Sequence, residues 1–155
     1  MAAYDLIAPA GSFDQWPAGM KAELAANLDS PLVGSTLVSE TDKVRVWHLL
    51  IPAGKRCSFH VHVLDYFWTC HTHGRARGYY EDGHITETTH FPGDTMHNTY
   101  AKGERMVHSV ENIGKTRSEV ILVELKRPAG VVGAGLQPRQ DAGAAYLTGP
   151  AGVPG

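Results

Sequence analysis

Between residues 43 and 127 the chain alternates short apolar runs with turn residues, and this rhythm restricts its fold more than any other feature. The runs are Val44–Ile51, Cys57–His62, Tyr66–His73, Ala76–Tyr80, Ile85–His90, Val107–Val110 and Glu119–Leu125. Turn formers separate them at Pro52-Ala53-Gly54, Asp82-Gly83, Pro92-Gly93-Asp94 and Asn112-Ile113-Gly114. Strands this short, recurring about every ten residues, predict an all-β antiparallel sandwich or barrel. Asp82-Gly83, set between two such runs, predicts a hairpin.

The flanks read differently. Residues 1–42 form an N-terminal arm in which Pro17 suits a helix start and Met20, Leu24 and Leu28 recur at four-residue spacing. Asp29-Ser30-Pro31 then ends that short helix. Residues 128–155 are rich in Gly, Ala and Pro without apolar periodicity, which predicts a mobile tail or one draped over a partner subunit. At 155 residues a single domain is expected. A formal net charge of -2 leaves no basic footprint for nucleic acid. There is no apolar run of membrane-spanning length and no signal-peptide pattern, so a cytoplasmic protein is expected.

Among nine histidines, spacing singles out three. His60 and His62 stand two apart in one extended run, so their side chains share a face. A later strand can bring His108 back to meet them. Neutral imidazole is the commonest protein ligand for first-row transition metals, and three such donors leave coordination positions open, as a catalytic metal requires.

With these residues the chain resembles the cupin superfamily. Its first motif runs Gly, five residues, His-x-His, three or four residues, Glu, six residues, Gly; Gly54, His60, His62 and Gly74 fall in register, and Phe67 stands where the glutamate ligand would be. The second motif is matched by Gly93-Asp94 and by His108-Ser109-Val110-Glu111-Asn112, although the stretch from Gly93 to His108 is four residues longer than the pattern and lacks its Pro-x-Gly. The resemblance implies a double-stranded β-helix, or jelly-roll, barrel over residues 43–127, with the metal inside the barrel mouth. It implies one divalent transition metal on His60, His62 and His108. Iron(II) is the expected ion, and nickel, copper, zinc or manganese are also compatible with the donors.

Without the glutamate, the site is similar to the three-histidine centres of diketone-cleaving and thiol dioxygenases. That similarity implies an iron-dependent dioxygenase acting on a small oxygenated or carboxylated molecule. The alternatives are a metal-assisted isomerase, lyase or decarboxylase, or a barrel that only binds a small molecule or is metal-free and structural. Asp65 and Tyr66, in the run His-x-His-x-x-Asp-Tyr, sit beside the empty glutamate position. Asp65 either supplies a carboxylate to the metal or solvates a turn.

If Phe67 faces inward, so do Thr69 and His71, while Tyr66, Trp68 and Cys70 face away. His71 is then either a proton carrier or a hydrogen-bonded core histidine. His73, His84 and His90 are expected in solvent, and His97 is left open. Tyr100, Lys102, Glu104 and Arg105 either line the mouth, with Arg105 suited to an anionic substrate, or form a solvated loop. Cys57 and Cys70 should point away from the metal. A hairpin pairing His60 with Phe67 would set them opposite each other, as a cross-strand disulfide or as buried thiols. Open sheet edges, and the apolar surface of Trp16 and the first helix, suggest a homodimer.

Overall fold

The computed structural model describes residues 3–127 and the backbone of Leu147–Thr148. Apart from that pair, the tail of 128–155 lies outside the described residues. The strands are β1 (Tyr4–Ala8), β2 (Thr36–Glu40), β3 (Val44–Ile51), β4 (Arg56–Cys57), β5 (His60–His62) and β6 (Asp65–Cys70). They continue with β7 (Gly74–Tyr80), β8 (Ile85–His90), β9 (Thr95–Asn98), β10 (Met106–Asn112), β11 (Ser118–Leu125) and β12 (Leu147–Thr148). A 3-10 turn over Phe13–Gln15 and the helix α1 (Met20–Asn27) lie between β1 and β2.

Two antiparallel sheets face each other. One runs β1-β8-β7-β10-β4-β12, with β5 also paired to β10; the other runs β2-β3-β11-β6-β9. This is the all-β, double-stranded architecture expected from the strand rhythm, with the short N-terminal helix added. Every predicted run from Val44 to Leu125 carries a strand. The Asp82-Gly83 hairpin is also present, with Gly83 at φ 92° and its N–H donating to the Tyr80 carbonyl at 2.8 Å. Within residues 43–127 only β9 had no apolar run to announce it, and β1, β2 and β12 lie outside the predicted runs. The N-terminal arm supplies strands to both sheets, β1 beside β8 and β2 beside β3.

Part of the outer face of the seven-stranded sheet is covered. That part presents Phe59, Val61, Tyr79, Ile85 and Val107, and these pack with Trp16, Met20 and Leu24 into one apolar cluster. Met20 and Leu24 stand one helical turn apart and are the buried face of α1. Trp16 stacks on Phe59 with ring centroids 5.0 to 5.9 Å from its three aromatic neighbours. The apolar surface that suggested a dimer is thus spent within the chain. A carboxylate secures the helix: Glu23 accepts from both Arg56 guanidinium nitrogens and from the Phe59 N–H at 3.1 Å.

Asn112, the last residue of the second motif, has a structural task. Its buried amide donates to the carbonyls of Ile51 and Thr116, both at 2.8 Å, and its oxygen accepts from the Gly114 N–H at 3.0 Å. It thereby ties the end of β10 to the end of β3 and shapes the turn into β11. Replacing Asn112 by Ala strands three backbone groups in a buried setting. The expected loss is about 2–3 kcal/mol in urea unfolding, and an unchanged midpoint would show that the side chain is dispensable.

Candidate metal centre

Three imidazoles converge on the inner face of the seven-stranded sheet. In the antiparallel ladder between β5 and β10, His108 lies directly opposite His60 and Met106 opposite His62. Nε2 of His62 is 3.1 Å from Nε2 of His60 and 3.1 Å from Nε2 of His108. The three rings meet edge to face at interplanar angles of 72–73°. Two nitrogens bound to one metal at about 2.0–2.1 Å, and about 90–109° apart, are separated by about 2.8–3.4 Å. The observed spacing fits that requirement, and these are the three side chains able to hold a metal among the described residues.

Local chemistry leaves the facing lone pair of His60 available. Nδ1 of His60 donates to the Ser58 carbonyl at 2.9 Å, so the neutral ring keeps Nε2 bare. Nδ1 of His62 and of His108 is buried without a hydrogen-bond partner. Burial pushes the His60 imidazole down to about 4. It pushes His62 and His108 well below the ordinary value too, and neighbouring histidines add to the effect. Three neutral imidazoles whose Nε2 atoms converge on one point are what a divalent cation needs, and the residues fit it.

The trio sits in a cavity of about 340 Å³ between the sheets. Its wall is mainly apolar, and no Asp, Glu, Lys or Arg lines it among the described residues. Tyr66 stacks on His62, centroids 4.2 Å apart, and burial, with Tyr100 beside it, pushes its phenol well up.

The inward residues of β6 are Tyr66, Trp68 and Cys70; Phe67 is turned out, against His97 of β9. This reverses the orientation expected from placing Phe67 at the glutamate position. Even-numbered residues line the cavity from both β5 and β6, because the bend at Val63-Leu64 between the two strands preserves that parity. A three-residue spacer, which the motif also permits, puts Tyr66 where the glutamate would stand. The apolar wall therefore comes from Tyr66 and Trp68.

Other expected site residues fall elsewhere. The Asp65 carboxylate accepts from the Tyr100 N–H at 2.8 Å, a turn contact outside the cavity. His71 is exposed beyond the end of β6. Arg105 is also exposed, donating to Glu81 at 2.6 Å and to Asp29 at 3.4 Å. Cys57 and Cys70 are both free thiols; β6 pairs with β9 and β11 rather than with the β4–β5 segment, so the two are not cross-strand neighbours.

Sequence reasoning missed His84 and His90, which were expected in solvent but line the cavity. His84 lies flat on Tyr80, centroids 4.0 Å apart, with Nδ1 donating to Asp82 at 2.5 Å. His90 meets the Trp68 ring edge-on at 5.2 Å. Their even positions on the hairpin, in step with Tyr80, were the available signal.

No known protein family and no curated protein sequence matches the chain. Solved structures do. A cupin domain from Bordetella pertussis Tohama I is 23% identical over 64% of this chain and 98% of its own, with a TM-score of 0.53. A conserved protein with a double-stranded β-helix domain from Klebsiella pneumoniae is 20% identical over 73% of this chain and 90% of its own (TM-score 0.48). An RmlC-like cupin protein from Methanocaldococcus jannaschii is 16% identical over 58% and 76% respectively (TM-score 0.47). The chain has the cupin fold. Among its described residues no helix is long and apolar enough to cross a membrane.

Metal-free protein should lose stability in acid. Above about pH 6.5 the three imidazoles are neutral both folded and unfolded and contribute no pH dependence. Below it the unfolded chain takes up protons that the buried rings refuse, so stability falls as pH drops from about 6.5 towards the value of about 4 for His60. The slope is about 1.4 kcal/mol per pH unit for each such group. Urea midpoints between pH 7 and pH 5 measure it, and His62→Leu should flatten the decline. A decline of equal steepness in the variant would mean that the trio is not its source.

Proposed function

We propose, from the cupin fold and the imidazole trio it carries, that this protein is a metal-dependent oxygenase of a small oxygenated or carboxylated molecule. The observation that carries the reading is the convergence of three neutral Nε2 atoms, two of the separations being 3.1 Å, inside an apolar cavity of about 340 Å³. His60, His62 and His108 would hold one divalent ion. Iron(II), when bound there, would supply a redox-active Lewis acid with positions open for further ligands.

The protein's own groups do the rest. No carboxylate among the described residues of the cavity wall offsets a dipositive ion, so an anionic, chelating substrate is the one favoured electrostatically. Tyr66 and Trp68 exclude water on one side, and Leu49 and Leu122 line the same sheet. Asn98 presents a buried amide nitrogen next to Tyr66, to which it is paired across the β6–β9 ladder. Tyr80 leans on His108 at 5.7 Å between centroids and limits how that ring can turn.

One observation favours a second reading. His84 lines the cavity with Nδ1–H held by Asp82, which leaves Nε2 as a base able to accept a proton from a bound substrate. That arrangement suits a metal-assisted isomerase, lyase or decarboxylase. Substrate turnover without oxygen consumption would select it.

Elemental analysis of untagged protein, followed by oxygen uptake with diketones, thiols and hydroxyaryl ketones, tests the first reading. Near-stoichiometric metal and uptake with one of these classes are expected. In His62→Ala, which removes the central ring, metal content and uptake should both fall more than tenfold. Full activity in metal-stripped protein would falsify the proposal.

A further inference from the structure

β7 carries a buried glycine, Gly78, two residues before Tyr80 and on the same inner face. Glycine weakens a strand interior, and it serves there where another group must come close. Here that group is the Tyr80 phenol. A Cβ on Gly78 would stand 2.9 Å from Cε2 of Tyr80, 3.1 Å from its hydroxyl oxygen and 2.9 Å from Oγ1 of Thr86. Thr86 is opposite Gly78 in the β7–β8 ladder. The phenol thus runs back along β7, and its hydroxyl lies where a side chain at position 78 would have been.

The ring is fixed from both sides. His84 lies flat on it, centroids 4.0 Å apart at 8°, and His108 meets it at 5.7 Å and 45°. The hydroxyl oxygen accepts a long bond from Thr86 Oγ1 at 3.4 Å, and its own O–H has no acceptor among the described residues. Tyr80 is half-buried, and Tyr80, Gly78 and Thr86 all line the cavity. A donor held in place at a cavity wall with nothing to donate to marks where a ligand can complete the bonding.

Along the sheet this donor stands one row beyond the trio. Tyr80 is opposite His108 and Gly78 is opposite Val110. Two residues of strand, roughly 6.6 Å, therefore separate the imidazole row from the row of the hydroxyl.

We infer that Tyr80 reads a second oxygen of the substrate and that the cavity takes a keto acid, with its carboxylate on the imidazole side and a carbonyl three bonds further along accepting from the Tyr80 phenol. A carbonyl oxygen suits the position because it only accepts, and the phenol has a donor left to give. Three extended bonds span about 4 Å, and a hydrogen bond of about 2.8 Å completes the distance between the rows. The carboxylate end of this assignment rests on the trio being a metal centre; the Tyr80 end does not.

Calorimetric titration of anaerobic, iron(II)-loaded, untagged protein with 4-oxopentanoate and with pentanoate tests it, since the two differ only in the carbonyl. The native protein should bind the keto acid about fivefold more tightly. Tyr80→Phe keeps the ring between His84 and His108 and should remove that preference while leaving pentanoate affinity within about twofold. Gly78→Ala should remove it as well, although the phenol is intact, because the added methyl displaces it. The alanine variant also serves if the phenylalanine variant does not fold. Equal affinities in the native protein, a preference that survives in either variant, or no binding of either acid would overturn the inference.

Repeating the titration after chelator treatment separates the two ends. If pentanoate binds equally well without metal, the metal-centre reading fails, while a persisting carbonyl preference upholds Tyr80. If affinity falls without metal but the native protein shows no carbonyl preference, the metal reading holds and the assignment of Tyr80 fails.

Discussion

The register between β5 and β10 is the constraint on which the rest depends. His108 lies opposite His60 only because Val107 pairs with Val61 and Met106 with His62. Side chains alternate along a strand, so a slip of one residue would turn His108 outward and bury Val107 in its place. That slip is opposed from the other face. Val107 and Val61 sit in the cluster under Trp16, Met20 and Leu24, and moving either would break that packing. The donors are aligned by apolar residues that never touch them.

Helix and site are therefore two sides of one sheet. Glu23 reaches from α1 to the Phe59 N–H and to Arg56, which also donates to Ser109 at 2.6 Å, one residue from His108. Ser109 in turn donates to the Cys57 carbonyl at 2.5 Å. These bonds clamp the strand segments that precede His60 and carry His108, in a region where a two-residue strand and a three-residue strand offer little ladder of their own. Holding the backbone that carries the imidazoles from behind lets the cavity side remain mainly apolar.

Much of this was legible in the residues, and the errors share one cause. Alternation within each run predicted the strands, and His-x-His with a distant third histidine predicted the trio, because both signals are local or come from a spaced motif. Facing across β6 was misjudged because the motif's variable spacer admits both Tyr66 and Phe67, and the bend at Val63-Leu64 between β5 and β6 decides between them. His84 and His90 looked like solvated hairpin residues, since their burial comes from a second sheet about 10 Å away. β9 carries few apolar residues and owes its place to pairing with β6.

The charge balance of the cavity then follows from what the fold does with its ionisable groups. Asp65 is drawn out to the Tyr100 turn, Glu87 to Arg75 and Arg77, and Arg105 to Glu81 and Asp29, all away from the cavity. Glu124, the buried carboxylate nearest the end of β11, is held by the Trp47 indole at 2.8 Å, and burial pushes its carboxyl up. What lines the cavity is imidazole, phenol, indole, thiol, hydroxyl, amide and hydrocarbon. On the proposed reading, a dipositive ion on three neutral nitrogens would keep its full charge in such surroundings, and the field that a facing carboxylate would have weakened would stay available to a substrate. On that reading an anion entering the cavity would complete the neutralisation that the protein withholds, so that binding and selection for charge would be the same event.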